Sequence, residues 1–134
     1  MMPVLINDVP VDCINHAAIT YHVPATVILS VIKQENGRNG QAKPNKNGTF
    51  DYGVMQINTV WLSKLASYGY TKEDLQYDAC KNVNAGSWIL AQGLAEAKTA
   101  WRGVGNYNSH TEKFNRRYGE NISHHLTIIN QATA

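Results

Sequence analysis

The chain has 134 residues, of which 43% are hydrophobic and 16% charged, with a formal net charge of +2. That length suits one domain with its own core, and the recurrence of Leu, Ile, Val and aromatics excludes extended disorder. The densest apolar stretch, residues 23–32, is interrupted by Pro24, Thr26 and Ser30, which excludes a membrane span of roughly 18 residues. Lys and Arg are scattered, with only Arg116 and Arg117 adjacent, so no nucleic-acid-binding stripe is present. Asp and Glu together number ten, and that scarcity makes the position of each one informative.

Residues 1–11 read as an N-terminal extension and 12–134 as one domain. The extension carries an apolar patch, Val4-Leu5-Ile6, but no basic segment and too short an apolar core for a secretory leader. Export would then use a leader already removed or a route that needs none. Asp12 is the expected N-cap of a helix over 13–22. Pro24 is expected at the first helical position of the next, which runs to Glu35 and stops at Asn36-Gly37. Residues 37–53, rich in Gly, Asn and Lys, predict a long loop or a short irregular hairpin of the functional kind. A helix is expected over 55–68, closed by Gly69. Thr71 and Asp74 form a capping pattern for a short one, and Asp78 caps a long one over 79–98. Thr99 can cap a helix to Asn108, and 112–118 and 122–129 predict two more. The fold class is mainly α, α+β at most.

Glu35 stands out among the acids. Ile28, Val31 and Ile32 lie seven, four and three residues before it and share its helix face. A carboxylate ending an apolar stripe is partly desolvated, and the negative end of the helix dipole opposes its charge. Both raise its pKa, as a general acid near neutral pH requires. After the polar loop, Gly53 permits close backbone approach, while Gln56 and Asn58 offer the paired donors and acceptors that suit sugar hydroxyls and N-acetyl amides. Tyr107, beside Asn108, is a candidate for orienting Glu35 or for bonding its charged state.

Three blocks occur in order: Gln34-Glu35-Asn36, Gly53-Val54-Met55-Gln56-Ile57-Asn58 and Tyr107-Asn108-Ser109. Together they resemble the lysozyme-like superfamily, and most closely the soluble lytic transglycosylases (SLT type) associated with secretion and conjugation systems. The resemblance spans residues 13–118 and implies a two-lobed domain with a central catalytic cleft. It implies cleavage of the β-1,4 bond between N-acetylmuramic acid and N-acetylglucosamine, giving a 1,6-anhydro product, with Glu35 as acid and then base. Tyr107 is carried as catalytic, and Asn36, Tyr52, Met55, Gln56, Asn58 and Asn108 as substrate-binding. Asn36 stands where the family usually has serine. Because the attacking hydroxyl is tethered to the reacting sugar, no second carboxylate is needed to activate water.

Asp51, sixteen residues after Glu35 and just before Tyr52-Gly53, also resembles the second carboxylate of animal-type lysozymes. A true pair would predict hydrolysis, so a hydrolytic muramidase is the alternative, and Asp51 as a turn-forming residue the simpler reading. A non-catalytic peptidoglycan-binding module is the third. Cys13 and Cys80 sit where paired cysteines recur in the secretion-associated relatives; a bridge would imply an oxidising compartment, while two buried free thiols are the alternative. The expected location is periplasmic or exported. No cofactor or metal is expected, since two distant cysteines lack a ligand cluster and His124-His125 read as solvent-facing. Trp61, Trp88 and Trp101 are core candidates, with Trp61 and Tyr52 the better choices for lining a sugar cleft. Arg38, Lys43 and Lys46 are candidates for meeting muramyl-peptide carboxylates. Expected partners are peptidoglycan strands, secretion or conjugation apparatus components, or a cognate inhibitor or immunity protein, with the chain itself a monomer.

Overall fold

Two prolines set the starts of the first two helices in the computed structural model, which describes residues 4–133. Strands β1 (Leu5–Ile6) and β2 (Val9–Pro10) form a small hairpin that leads directly into α1 (Val11–Tyr21). The helix begins earlier than expected, with Pro10 rather than Asp12 at the cap position, because the hairpin brings the Val11 amide to the Val4 carbonyl at 3.0 Å. Asp12 sits in the first turn, where its carboxylate meets the positive helix end. Val9 is fully buried, so the segment expected as an extension contributes to the core. Pro24 likewise occupies the cap position of α2 (Ala25–Glu35), one residue before the place the sequence suggested. Asn36 ends α2 in the left-handed conformation at φ 53°, a role short polar side chains tolerate.

The polar loop resolves into a three-stranded antiparallel sheet, β3 (Ala42–Pro44), β4 (Phe50–Tyr52) and β5 (Ile57–Asn58). Its register pairs Lys43 with Asp51 and Asp51 with Asn58, and Ala42 with Tyr52 and Tyr52 with Ile57. Alternation across the pleat therefore puts Lys43, Asp51 and Asn58 in one polar row, while Tyr52 and Ile57 face the core. Strand β5 replaces the start of the helix expected over 55–68. Asn58 accepts from the Val60 amide and opens a 3-10 turn over Thr59–Trp61, leaving α3 only Leu62–Ala66. Residue 56, not the sequence period, decides this: Gln56 lies in the left-handed region at φ 53°, which no helix continues through.

The remaining caps follow the sequence. Thr71 and Asp74 bond reciprocally at the start of α4 (Lys72–Tyr77), Asp78 caps α5 (Ala79–Glu96) and Thr99 caps α6 (Ala100–Gly105). The two C-terminal helices expected from the sequence are one, α7 (Glu112–Thr133), since packing against α2 and α6 outweighs the weak helix propensity of Gly119. Helix α5 is central, in contact with α1, α4 and α6. Its Val83, Ile89 and Leu90 join Ile28, Val31 and Ile32 of α2 and Ile122 of α7 in the core. Each such fully buried side chain is worth roughly 1.5–3 kcal/mol. Cys13 and Cys80 form a disulfide joining α1 to α5 across 67 positions of chain, worth about 4 kcal/mol in the chain-entropy picture. Among the described residues no helix is long and apolar enough to cross a membrane.

Candidate active site

Glu35 ends α2 at the edge of the core, directly after the buried turn formed by Val31 and Ile32. Its Oε2 accepts a 2.6 Å hydrogen bond from the Tyr118 hydroxyl of α7. Burial pushes the Glu35 pKa from its usual 4.5 up to about 7; the Tyr118 hydrogen bond and the Lys43 charge pull downward, and the Asp51 charge pushes further up. A half-buried acid with a pKa near neutrality is both a competent proton donor and, once ionised, a competent acceptor.

The wall opposite is the polar row of the sheet. Asp51 accepts from the Asn58 side-chain amide at 2.9 Å, and the same amide donates to Thr49 Oγ1 at 3.1 Å. Gln56, held out by its left-handed backbone, donates to the Gly53 carbonyl at 2.9 Å and to Gln41 Oε1 at 3.1 Å. Between this wall and α2 lies a cleft of about 280 Å³, lined by Glu35, Asp51, Gln56, Asn58, Val60, Trp61, Tyr107 and Asn108 among others. Its concave, mostly polar lining with one indole suits a hydroxyl-rich ligand.

Two buried amides hold the walls in place, and neither was singled out in the sequence. Asn82 of α5 donates to the Tyr52 and Leu75 carbonyls at 2.9 and 2.8 Å and accepts from the Met55 amide at 2.8 Å. Gly53, at φ 66°, has no room for a side chain there, because a Cβ would run into Asn82 and the Leu75 carbonyl. The side-chain amide nitrogen of Asn115 of α7 shares its two hydrogens among the Arg102 and Ser109 carbonyls and Asn106 Oδ1, at 2.9–3.0 Å, fixing the segment that carries Tyr107 and Asn108.

The structure brings Glu35, Asp51, Gln56, Asn58, Tyr107 and Asn108 to one cleft, and redistributes the rest. The Tyr107 hydroxyl does not reach Glu35. It donates to the Met55 carbonyl at 2.7 Å, and its ring stacks on Tyr118 at 6.3 Å. The tyrosine on the carboxylate is Tyr118, whose signal in the sequence was a phenol on the buried face of a helix, four residues before Ile122. Burial holds both phenols well above their usual pKa, so each stays a neutral donor.

Tyr52 is buried, 5% exposed, and points into the core rather than the cleft. The Met55 side chain is also fully buried and packs on Gly86; only its carbonyl serves the site. Asn36 faces away, its Oδ1 3.5 Å from the Asn7 amide, since its backbone is committed to ending α2. Trp61 lines the cleft and meets Trp88 edge-on at 6.0 Å, whereas Trp101 is 48% exposed instead of in the core. Arg38 pairs with Asp8 through hydrogen bonds of 2.6 and 2.8 Å and does not line the cleft. His124 is exposed, but His125 is half-buried with Nε2 3.0 Å from Gln34 Oε1, because α7 crosses the end of α2 there.

The family described as Transglycosylase SLT domain matches residues 12–125. Protein IpgF of Shigella flexneri is 32% identical over 116 residues, covering 83% of this chain and 76% of that protein. Invasion protein IagB of Salmonella typhi is 26% identical over 134 residues, covering 96% of this chain and 84% of its own length. A peptidoglycan-binding-like protein of Escherichia coli O157:H7 is 28% identical over 105 residues, with 72% of this chain and 63% of that protein covered.

Proposed function

Because the chain belongs to the transglycosylase SLT domain family, we propose that it is a peptidoglycan lytic transglycosylase with Glu35 as its single acid and base. The observation that carries this reading is the pairing of Glu35 with Tyr118 at the cleft, where burial holds the carboxyl protonated up to about pH 7. With Tyr118 on Oε2, the proton resides on Oε1. Glu35 gives that proton to the glycosidic oxygen as the bond from C1 of the muramic sugar breaks. The C6 hydroxyl of the same sugar then attacks C1 and returns its proton to Glu35, closing the 1,6-anhydro ring and regenerating the acid. The Tyr118 hydrogen bond steadies the carboxylate between the two transfers. Tethering of the nucleophile supplies an effective concentration on the order of 10⁵ M or more, in place of a water-activating carboxylate.

One observation favours a second reading, hydrolysis by a Glu35–Asp51 pair: Asp51 lines the same cleft and its charge acts on Glu35. Against it, Asp51 is engaged by the Asn58 amide as part of the sheet's polar row. Mass spectrometry of muropeptides released from purified peptidoglycan separates the two. Anhydro products, lighter by one water, are expected; a wholly hydrated set would establish the hydrolytic reading instead. The Cys13–Cys80 disulfide supports a periplasmic or exported location. Likeness to an invasion protein supports use of this activity in invasion.

A further inference from the structure

Glu35 and Asn108 border two cavities. The first is the cleft facing the sheet. The second, of about 190 Å³, lies on the α7 side and is bounded by Gln34, Phe114, Arg117, Tyr118 and Asn121 together with those two shared residues. A glycan strand cut at Glu35 extends to both sides of the scissile bond, so a strand in the first cavity continues toward the second.

The two cavities differ in chemistry. Asp51 gives the first a second carboxylate. In the second, positions 114, 117, 118 and 121 follow helical spacing, so Phe114, Arg117 and Asn121 share the α7 face that delivers Tyr118 to Glu35. Phe114 is 49% exposed. Among the described residues Arg117 has no hydrogen-bond or ion-pair partner, whereas Arg38 is held by Asp8 and Arg102 by the His110 carbonyl. An unpaired guanidinium at the wall of a cavity, beside an exposed ring, is arranged for fork-like recognition of a carboxylate attached to a partly apolar group. In peptidoglycan only the muramic sugar carries such a group, its lactyl ether and the peptide attached to it.

We propose that the second cavity is a subsite for the muramyl side chain, with Arg117 binding a carboxylate of its peptide and Phe114 covering the apolar portion; this rests on the glycan-cleaving reading above. Arg117 thereby selects peptide-bearing strands and takes no part in the chemical step. The test measures binding of solubilised glycan strands to the full chain carrying Glu35→Gln, which prevents turnover. Two probes are used: strands with native peptides, and the same strands after carbodiimide amidation of their carboxylates. Arg117→Gln is expected to weaken binding of native strands roughly ten-fold and to leave binding of amidated strands unchanged. Arg116→Gln removes the same charge from the other face of α7, beside Trp101, and is expected to change neither. No loss with Arg117→Gln overturns the proposal, as does an equal loss on both probes or an equal loss with Arg116→Gln. If the Glu35→Gln chain binds neither kind of strand, the glycan reading itself falls.

Discussion

The two carboxylates of the cleft are built on different supports, and each support sets what its carboxylate can do. Glu35 sits at the end of a helix whose inner face is fully buried, and its partner is a phenol held in place by a second long helix. Asp51 sits mid-strand in a three-stranded sheet, flanked in register by Lys43 and Asn58, and bonded to the latter. The helical side removes water and makes the charged form costly. The sheet side supplies Asp51 with a hydrogen-bonding amide and a lysine in register. In the proposed mechanism, proximity in one cleft does not make a catalytic pair; the environment divides the roles.

The largest test of that division is Glu35→Gln. Loss of the proposed acid is expected to lower turnover on peptidoglycan by about 10³-fold or more, with the fold unchanged by circular dichroism. The same variant has a stability signature. The folded pKa of Glu35 is raised from 4.5 to about 7, so the folded state keeps a proton that the unfolded chain releases in that window. The stabilisation this group gives is complete below pH 4.5 and lost as pH rises through 7. Thermal denaturation should find Glu35→Gln more stable than the parent above pH 7, by on the order of 1–2 kcal/mol after allowance for partial exposure. A parent chain with no such pH dependence would break the claim that burial governs Glu35.

Next in size is Tyr118→Phe, expected to lower kcat about ten-fold with KM little changed, since the lost bond steadies the carboxylate formed during the reaction. Activity that depends on protonated Glu35 declines as pH passes about 7. Because Tyr118 pulls that pKa down, its removal should move the decline to higher pH. Smallest is Asp51→Asn, expected to cost about three-fold in kcat. It should move the decline the other way, to lower pH, since the Asp51 charge pushes Glu35 up. A loss of about 100-fold or more would mean that Asp51 shares the chemistry, and the contrast between helix and sheet would fail at its centre.

Features fixed by local pattern were legible in the sequence. The stripe Ile28, Val31, Ile32 and Glu35 follows from helical period alone, and Thr71, Asp78 and Thr99 cap helices because their side chains bond amides three residues on. Features that depend on separate segments meeting were not. The helix expected over 55–68 gave way to a strand because residue 57 pairs with residue 52 and Gln56 takes a left-handed turn, neither visible to a periodicity argument. The block containing Tyr107 places that residue in the cleft, but its hydroxyl bonds the Met55 carbonyl and not Glu35. The bond to Glu35 spans 83 positions, and the packing of α7 on α2 selects Tyr118 for it. Likewise Tyr52 and Met55, neighbours of the cleft residues in sequence, turn inward: Tyr52 because side chains alternate across the pleat, Met55 because the Asn82 side chain pins the turn between β4 and β5.

The sequence by itself determined that the chain carries a carboxylate at the end of an apolar helix, three ordered blocks of SLT type and the caps that start its later helices, since each depends on residues within a few turns of one another. The tertiary structure alone decided which phenol holds that carboxylate, that the polar loop becomes a wall bearing Lys43, Asp51 and Asn58, and that a second cavity opens beside Arg117. These are contacts between separate segments, from neighbouring strands of the sheet to residues 83 positions apart. No local rule specifies them, because they form only when burial of the shared core brings α2, α7 and the sheet together.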